Sequence, residues 1–239
     1  TNALLQYMNS GGWLTEHTQT REFEASVAKY TGAKHCIVVP NGTLALFLAL
    51  KAMGIGPGSE VIVPDLTMVA TANAVAMAGA TPVFVDVGDD FCLSLDSAKS
   101  AWTHKTDAIL YVSLNGRTSH LKDWANFSRD CGIPFIEDAA QSLGSKYKGK
   151  HLGTFGEIGI LSFSVPKIIS TGQGGALLTN DDDTASRIRK MKDFGREKPG
   201  ADHYLTMGWN FKFTDLQAVI GIEQMKKLPW RVERKKEMY

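Results

Sequence analysis

Three short segments of this sequence combine residue types that can bind and activate a small molecule. The first is Pro40-Asn-Gly-Thr-Leu-Ala-Leu46, which follows an apolar run and opens a helical pattern. The amides of Gly42 and Thr43 would lie at a helix N-terminus, where free N–H groups and the helix dipole favour a phosphate. An ordinary strand-to-helix turn with Thr43 near the N-cap explains this segment equally well.

The second segment places an acidic residue at the end of a strand. Asp138 follows the apolar run that opens Phe135-Ile-Glu-Asp-Ala-Ala-Gln-Ser142. Ligands of open α/β sheets bind outside the carboxyl ends of the strands, so a carboxylate there can pair with a cationic ring nitrogen. The alternatives are that Asp138 caps the next segment and that Gln141 is merely exposed rather than a second contact.

The third segment, Leu161–Gly175, contains a lysine between a buried run and a cluster of glycines. Glycines let a ligand approach the backbone, and a desolvated Lys167 would have a lowered pKa and could form a Schiff base with an aldehyde. Ser162 and Ser164 offer hydroxyl groups nearby. By composition alone, a solvated surface lysine is the commoner case.

The elements that must position these segments alternate between strands and helices. Apolar runs rich in β-branched residues predict seven strands, at Cys36–Val39, Val61–Val63, Val83–Asp86, Ile109–Val112, Pro134–Glu137, Gly159–Phe163 and Ala176–Thr179. Amphipathic stretches predict helices at Thr43–Met53, Thr71–Ala78, Leu95–Trp102, Leu121–Asp130, Thr184–Asp193 and Asp215–Lys227. This order predicts an α/β fold with a seven-stranded, mostly parallel sheet flanked by helices on both faces.

One connection does not fit a parallel crossover. About a dozen residues separate the strands Gly159–Phe163 and Ala176–Thr179, and Pro166 and the glycines oppose a helix between them. We therefore expect a functional loop here and a local antiparallel pair of strands.

Composition limits the classes of function. The chain has 239 residues, of which 44% are hydrophobic and 21% charged, and a net charge of +1, which gives no sign of a nucleic-acid or membrane partner. Cys36, Cys92 and Cys131 are expected to be buried thiols in a reducing compartment, so we expect a cytoplasmic protein. The histidines are scattered without ligand spacing, and no metal site is expected.

The three segments occur together with further motifs along nearly the whole chain. The most specific run is Asp138-Ala-Ala-Gln141, then Ser162-Phe163 with Lys167 five residues after the serine, then Gly172-Gln-Gly-Gly175. Other motifs are Gly12-Trp-Leu-Thr15, Glu22-Phe-Glu24, Asn41-Gly-Thr43, Ala70-Thr-Ala-Asn-Ala-Val75, Gly208-Trp-Asn-Phe211 and Thr214-Asp-Leu-Gln-Ala218. The chain thereby resembles the DegT/DnrJ/EryC1/StrS sugar aminotransferases, which are fold type I enzymes that use pyridoxal phosphate (PLP). Gly172–Gly175 and Phe194–Arg196 are similar to segments of enzymes like perosamine synthase.

The resemblance implies roles for eight positions. Lys167 would hold PLP as a Schiff base and move a proton during catalysis, and Asp138 would form a salt bridge to the ring nitrogen. The other implied contacts are Gln141 near the phenolic oxygen, Met68 against the ring, Gly42, Thr43 and Ser162 at the phosphate, and Asn210 at the phosphate of the neighbouring subunit. A homodimer with shared sites is therefore implied.

The implied reaction is a ping-pong transfer of an amino group. An amino acid, usually glutamate in this family, would aminate the cofactor, and a nucleotide-linked keto sugar would accept the amino group for polysaccharide biosynthesis. Three features depart from the family pattern. Met68 replaces a common aromatic residue and Gln173 a common glutamate, and the chain stops at Tyr239. We expect residues 1–228 to form the PLP-binding large domain, and residues 229–239 to begin a helix towards an absent C-terminal small domain.

Other classes of protein make different predictions. A related PLP-dependent sugar dehydratase has histidine in place of the lysine, and Lys167 argues against it. A cofactor-free sugar-nucleotide sensor or assembly protein would leave Lys167 and Asp138 dispensable. A dinucleotide-binding fold lacks its GxGxxG motif after the first strand.

Overall fold

The computed structural model describes residues 2–238, so the outermost residues of the two expected domains, Thr1 and Tyr239, lie outside the described residues. Nine strands are present: β1 (His35–Val39), β2 (Glu60–Pro64), β3 (Thr81–Val85), β4 (Thr106–Val112), β5 (Phe135–Asp138), β6 (Lys146–Tyr147), β7 (Lys150–His151), β8 (Ile158–Ser162) and β9 (Gly175–Thr179). The α-helices are α1 (Asn2–Asn9), α2 (Thr18–Thr31), α3 (Gly42–Ala52), α4 (Ala70–Met77), α5 (Leu95–Ala101), α6 (Leu121–Cys131), α7 (Asp182–Lys192) and α8 (Asp215–Glu237).

All seven predicted strands form, and they lie in one sheet in the order β1-β9-β8-β5-β4-β2-β3. The pairs from β8 to β3 are parallel, whereas β9 is antiparallel to both of its neighbours. The predicted antiparallel pair is thus confirmed, because the chain turns back from β8 into β9 without a crossover helix. The carboxyl ends of the other six strands therefore meet at one edge, together with the first residue of β9.

Helices cover both faces of the sheet, as the apolar strands predict. Alternating residues of β1 enter two separate cores, since Cys36 and Val38 belong to one and Ile37 and Val39 to the other. The first core is closed by α2, α5, α6 and α8, and the second by α3, α4 and α7. Among residues 2–238, no helix combines the length and the apolar character needed to cross a membrane.

The predictions missed α1, α2 and the two-stranded hairpin of β6 and β7. Helix α2 was hidden because its buried face mixes Phe23 and Val27 with polar side chains, among them Thr20 and Glu24. Those polar groups have partners: Glu24 accepts a hydrogen bond from the Val38 N–H at 3.0 Å. The helical repeat of apolar residues is therefore weak in the sequence of α2, although one face of this helix is buried.

Two predicted details are wrong. The last helix continues through Pro229 to Glu237 rather than ending at Lys227, so residues 229–237 extend α8. A proline within a helix removes one backbone hydrogen bond but does not always end the helix. Cys131 is only partly buried, unlike Cys36 and Cys92, because it is the last residue of the surface helix α6.

Candidate functional site

The turn between β1 and α3 presents free amides at the carboxyl edge of the sheet. Asn41 is the N-cap of α3, and its side chain accepts a hydrogen bond from the Leu44 N–H at 2.9 Å. The first N–H groups of a helix have no acceptor within the helix. Since Asn41 rather than Thr43 forms the cap, the amides of Gly42 and Thr43 remain available to an anion.

Two glycines let this turn lie against the ends of β8 and β9. A Cβ at Gly42 would lie 3.3 Å from the Cβ of Ser162, and one at Gly175 would lie 2.4 Å from the Asn41 oxygen. Gly175 pairs with Val39 on one side and with Ser162 on the other. This close approach brings the Ser162 hydroxyl to the turn that carries the free amides.

Asp138 ends β5 and is buried at the same edge. Its Oδ2 accepts a hydrogen bond from the Thr71 hydroxyl at 3.0 Å, and its Oδ1 accepts one from the Ala140 N–H at 3.2 Å. Burial raises the pKa of Asp138, while these two hydrogen bonds and the charge of Lys167 oppose that rise. The carboxylate is thus desolvated and held by two hydrogen bonds.

Lys167 lies in the loop between β8 and β9, which is fixed by several bonds. The Phe163 N–H donates to the Gly174 oxygen at 2.8 Å, and the Thr171 N–H donates to the Phe163 oxygen at 3.0 Å. Burial lowers the pKa of Lys167, and the charge of Asp138 partly opposes the change. A larger fraction of neutral amine, the nucleophilic form, follows from this environment.

Gln141 and Met68 have defined orientations beside these charges. The side-chain oxygen of Gln141 accepts a hydrogen bond from the Asn115 N–H at 2.8 Å, so its amide hydrogens remain as donors. The Met68 sulfur accepts a bond from the Ala70 N–H at 3.2 Å, and 58% of Met68 is exposed.

A single cavity of about 360 Å³ collects seven of the eight predicted positions, in the size range of ligand sites. These are Gly42, Thr43, Met68, Asp138, Gln141, Ser162 and Lys167. Asn210 does not line this cavity; it is exposed and forms an antiparallel bridge with Asp193. The individual roles of the eight residues stay predictions.

Sequence reasoning did not assign Asn41, Thr67 or Thr71 to the site. Asn41 and Thr67 line the cavity, and Thr71 lies behind it. Thr67 and Thr71 are four residues apart, Thr67 before α4 and Thr71 in its first turn. That spacing was visible, but nothing in it indicated the contact with Asp138.

The whole chain, residues 1–239, matches the sequence profile described as the DegT/DnrJ/EryC1/StrS aminotransferase family. The chain belongs to this family. It is 44% identical over 209 residues to a GDP-perosamine synthase of Caulobacter vibrioides, covering 87% of this chain and 56% of that enzyme. This family member thus spans little more than half of that relative's length.

Solved structures of aminotransferases share the fold. DesV of S. venezuelae, in complex with a ketimine intermediate, is 33% identical and has a TM-score of 0.90, over 95% of this chain and 61% of that one. NtdA of Bacillus subtilis, with bound cofactor PMP (pyridoxamine phosphate), is 32% identical with a TM-score of 0.89, over 95% and 52% of the two chains.

The cavity of this family member has the chemistry that a PLP-type cofactor requires. It offers an amine with a lowered pKa, a buried carboxylate for a ring nitrogen, and hydroxyl and amide donors at a helix N-terminus for a phosphate. Gly42 leaves room for the turn to approach Ser162. The residues present therefore fit the cofactor.

Proposed function

We propose that this protein is a PLP-dependent aminotransferase that passes an amino group from an amino acid to a nucleotide-linked keto sugar. The observation that carries the proposal is one cavity that holds both Lys167 and Asp138 beside the N-terminus of α3. Lys167 also favours this function over the dehydratase relatives, in which histidine replaces the lysine.

When bound, PLP supplies an aldehyde that condenses with amines and a ring that withdraws electrons from the attached carbon. Lys167 would hold PLP through its Nζ amine. Once displaced by an amino substrate, Nζ of Lys167 would be free to take up and release the proton that amino transfer moves. Its lowered pKa suits both roles because it increases the fraction of free base.

The remaining residues of the cavity hold and orient the cofactor. Asp138 would pair as a carboxylate with the ring nitrogen, and the amides of Gly42 and Thr43 and the Ser162 hydroxyl would bind the phosphate. The oxygen of Gln141 accepts from the Asn115 N–H, and its free N–H groups suit an acceptor such as the phenolic oxygen. Met68 covers the ring, and its thioether is a suitable though flexible surface.

We infer glutamate as the amino donor and a nucleotide-linked keto sugar as the acceptor. The similarity to a GDP-perosamine synthase supports a nucleotide-linked sugar as substrate. We also infer a homodimer in which Asn210 reaches the phosphate at the partner's site. Exposed apolar side chains support such a contact, since 67% of Trp13, 51% of Leu205 and 76% of Met207 are exposed.

We place the protein in the cytoplasm, supported by the buried free thiols of Cys36 and Cys92. Residues 1–228 would be the PLP-binding large domain, and residues 229–239 would lead towards a small domain that completes the substrate pocket. The greater length of the relatives supports this division.

The test is to fix the cofactor chemically to the protein. Wild type with PLP should develop a visible absorbance band that bleaches with glutamate, and borohydride reduction followed by peptide mapping should find the cofactor on Lys167. Lys167→Ala should lose the band, while Lys51→Ala, at a half-buried lysine outside the cavity, should keep it. A folded wild type that forms no band would refute the proposal and favour a cofactor-free sensor or assembly protein.

The sugar substrate is tested in the reverse direction. GDP-perosamine should serve as an amino donor to the PLP-loaded protein and bleach the band, as glutamate does. Bleaching by glutamate alone would keep the aminotransferase and exclude this sugar.

A further inference from the structure

Two threonines, Thr71 buried and Thr67 half-buried, are linked to Asp138 by hydrogen bonds. Thr71 is in the first turn of α4 and is 0% exposed, and its Oγ1 lies 3.0 Å from Oδ2 of Asp138. The Oγ1 of Thr67 lies 2.9 Å from the Oγ1 of Thr71. Thr67 lines the cavity but Thr71 does not, so Thr71 can act on a ligand only through the two groups that its hydroxyl contacts, Asp138 and Thr67.

The protons of this pair have one consistent arrangement when Asp138 is ionised. A carboxylate only accepts hydrogen bonds, so Thr71 must donate its single hydroxyl proton to Asp138. Thr71 then has only lone pairs left for Thr67, and Thr67 must donate to Thr71. Both hydroxyl dipoles therefore point towards the carboxylate, and hydrogen bonds in such a chain strengthen one another.

We propose that Thr71, supported by Thr67, is a positioning residue that holds Asp138 ionised and oriented towards the ring nitrogen of the cofactor. The inference rests on the proposed function, since it needs a ligand with a ring nitrogen. Burial raises the pKa of Asp138, and Thr71 is one of the groups that oppose this rise. Lys167 would be the residue that links covalently to the cofactor, whereas Thr71 forms no such link. The hydrogen bond from Thr71 to Asp138 would therefore remain throughout the reaction.

The experiment measures binding of two ligands that need no covalent link. One is PMP, and the other is its 1-deaza analogue, in which a CH group replaces the ring nitrogen. Thr71→Val removes the hydroxyl while keeping the shape of the side chain, and Thr71→Ser restores a hydroxyl. The matched control is Thr20→Val, because Thr20 is also buried and its hydroxyl donates to a carboxylate, Oδ1 of Asp215, at 2.6 Å outside the cavity.

The expected results separate positioning from a merely structural role. Thr71→Val should weaken PMP binding about tenfold, the size of one charge-assisted hydrogen bond, and change binding of the deaza analogue less than about twofold. Thr71→Ser and Thr20→Val should stay within about twofold of wild type for both ligands, although Thr20→Val loses stability.

Each other outcome is decisive. Equal weakening of both ligands, or no weakening of either, would overturn the inference while leaving the proposed function intact. A wild type that binds neither ligand would refute the proposed function and the inference with it. Should Thr71→Val fail to fold, Thr67→Val provides the same comparison, with an expected loss of about threefold for PMP alone.

Discussion

Lys167 and Asp138 are the two charged side chains among the residues that line the cavity in the described part of the chain. Burial favours the neutral form of both side chains, so it raises the pKa of Asp138 and lowers the pKa of Lys167. The charge of each residue partly opposes the pKa shift of the other. A ligand with a cationic ring nitrogen and an aldehyde provides a partner for both residues. Desolvation in the cavity therefore favours a nucleophilic amine at Lys167 and a carboxyl group at Asp138 that needs a cationic partner.

Met68 offers a prediction at the scale of one side chain. Met68→Phe should bind PMP about threefold more tightly, because a rigid aromatic face stacks better on a ring than a flexible thioether does. Met77→Phe is the matched control, since Met77 is exposed at the end of α4 and outside the cavity. The measurement is titration of PMP by quenching of protein fluorescence. Unchanged or weaker binding in Met68→Phe would show that Met68 does not cover the ring.

At the scale of elements, the segment that carries Gln141 is tied to the hairpin of β6 and β7 by a histidine. The Nε2 of His151 accepts a hydrogen bond from the Gly144 N–H at 2.9 Å, so its Nδ1 must carry the proton that it donates to the Leu152 oxygen at 2.7 Å. Protonation of Nε2 would break the bond from Gly144, so the two bonds form together only with the neutral ring. Burial lowers the pKa of His151, with the bond to Leu152 opposing the change.

This histidine should make stability depend on pH. The unfolded chain takes up a proton near the ordinary histidine pKa of about 6.5, whereas the folded chain resists it, so the unfolded state binds more protons. The free energy of unfolding should be fully retained above that pH and fall as the pH drops below it. Urea unfolding at a series of pH values measures the slope.

Two variants isolate the contribution of His151. His151→Gln can accept from Gly144 and donate to Leu152 without titrating, so its stability should vary less between pH 7.5 and about 5.5. His104→Gln, at an exposed position, should keep the wild-type slope. A slope that His151→Gln leaves unchanged would assign the pH dependence to other groups.

At the scale of the whole molecule, the cavity lies at the carboxyl edge of the sheet, at the ends of β4, β5 and β8 and at the turn after β1. The segment of Asn210 is held elsewhere, by pairing of the Phe194 N–H with the Trp209 oxygen at 2.9 Å and of the Phe211 N–H with the Lys192 oxygen at 2.9 Å. Asn210 is exposed and does not line the cavity of its own chain. We expect it to complete a site in a second copy.

Mixed dimers test whether sites are shared. Lys167→Ala and Asn210→Ala, each alone, should lose glutamate-dependent bleaching at limiting PLP. Random mixing in a two-fold dimer should restore about a quarter of the wild-type sites, because one site of each mixed dimer is then intact. Mixing Lys167→Ala with Lys167→Ala carrying a different tag is the control. Absence of recovery, with mixed dimers present, would show that each site is complete within one chain.

Much of the fold was predictable because strands and turns depend mainly on residues that are close together in the sequence. Runs of β-branched residues located all seven strands of the sheet, and the short link to Gly175 correctly predicted an antiparallel neighbour. Helix α2 was not predictable, because its buried face includes polar residues. These residues form hydrogen bonds to groups on other elements, as Glu24 does to the Val38 N–H of β1. Sequence periodicity records burial only where the buried groups are apolar.

The sequence by itself determined the family, through motifs whose order places an acid, a lysine and glycines at strand ends. Only the tertiary structure decided which groups support them. Thr71 reaches Asp138 across 67 residues of chain, and Asn115 fixes the amide of Gln141 across 26. The parallel register that pairs Val112 with Asp138 brings the ends of β4 and β5 together. Such contacts depend on how separate elements pack, and residue spacing along one chain does not encode that packing.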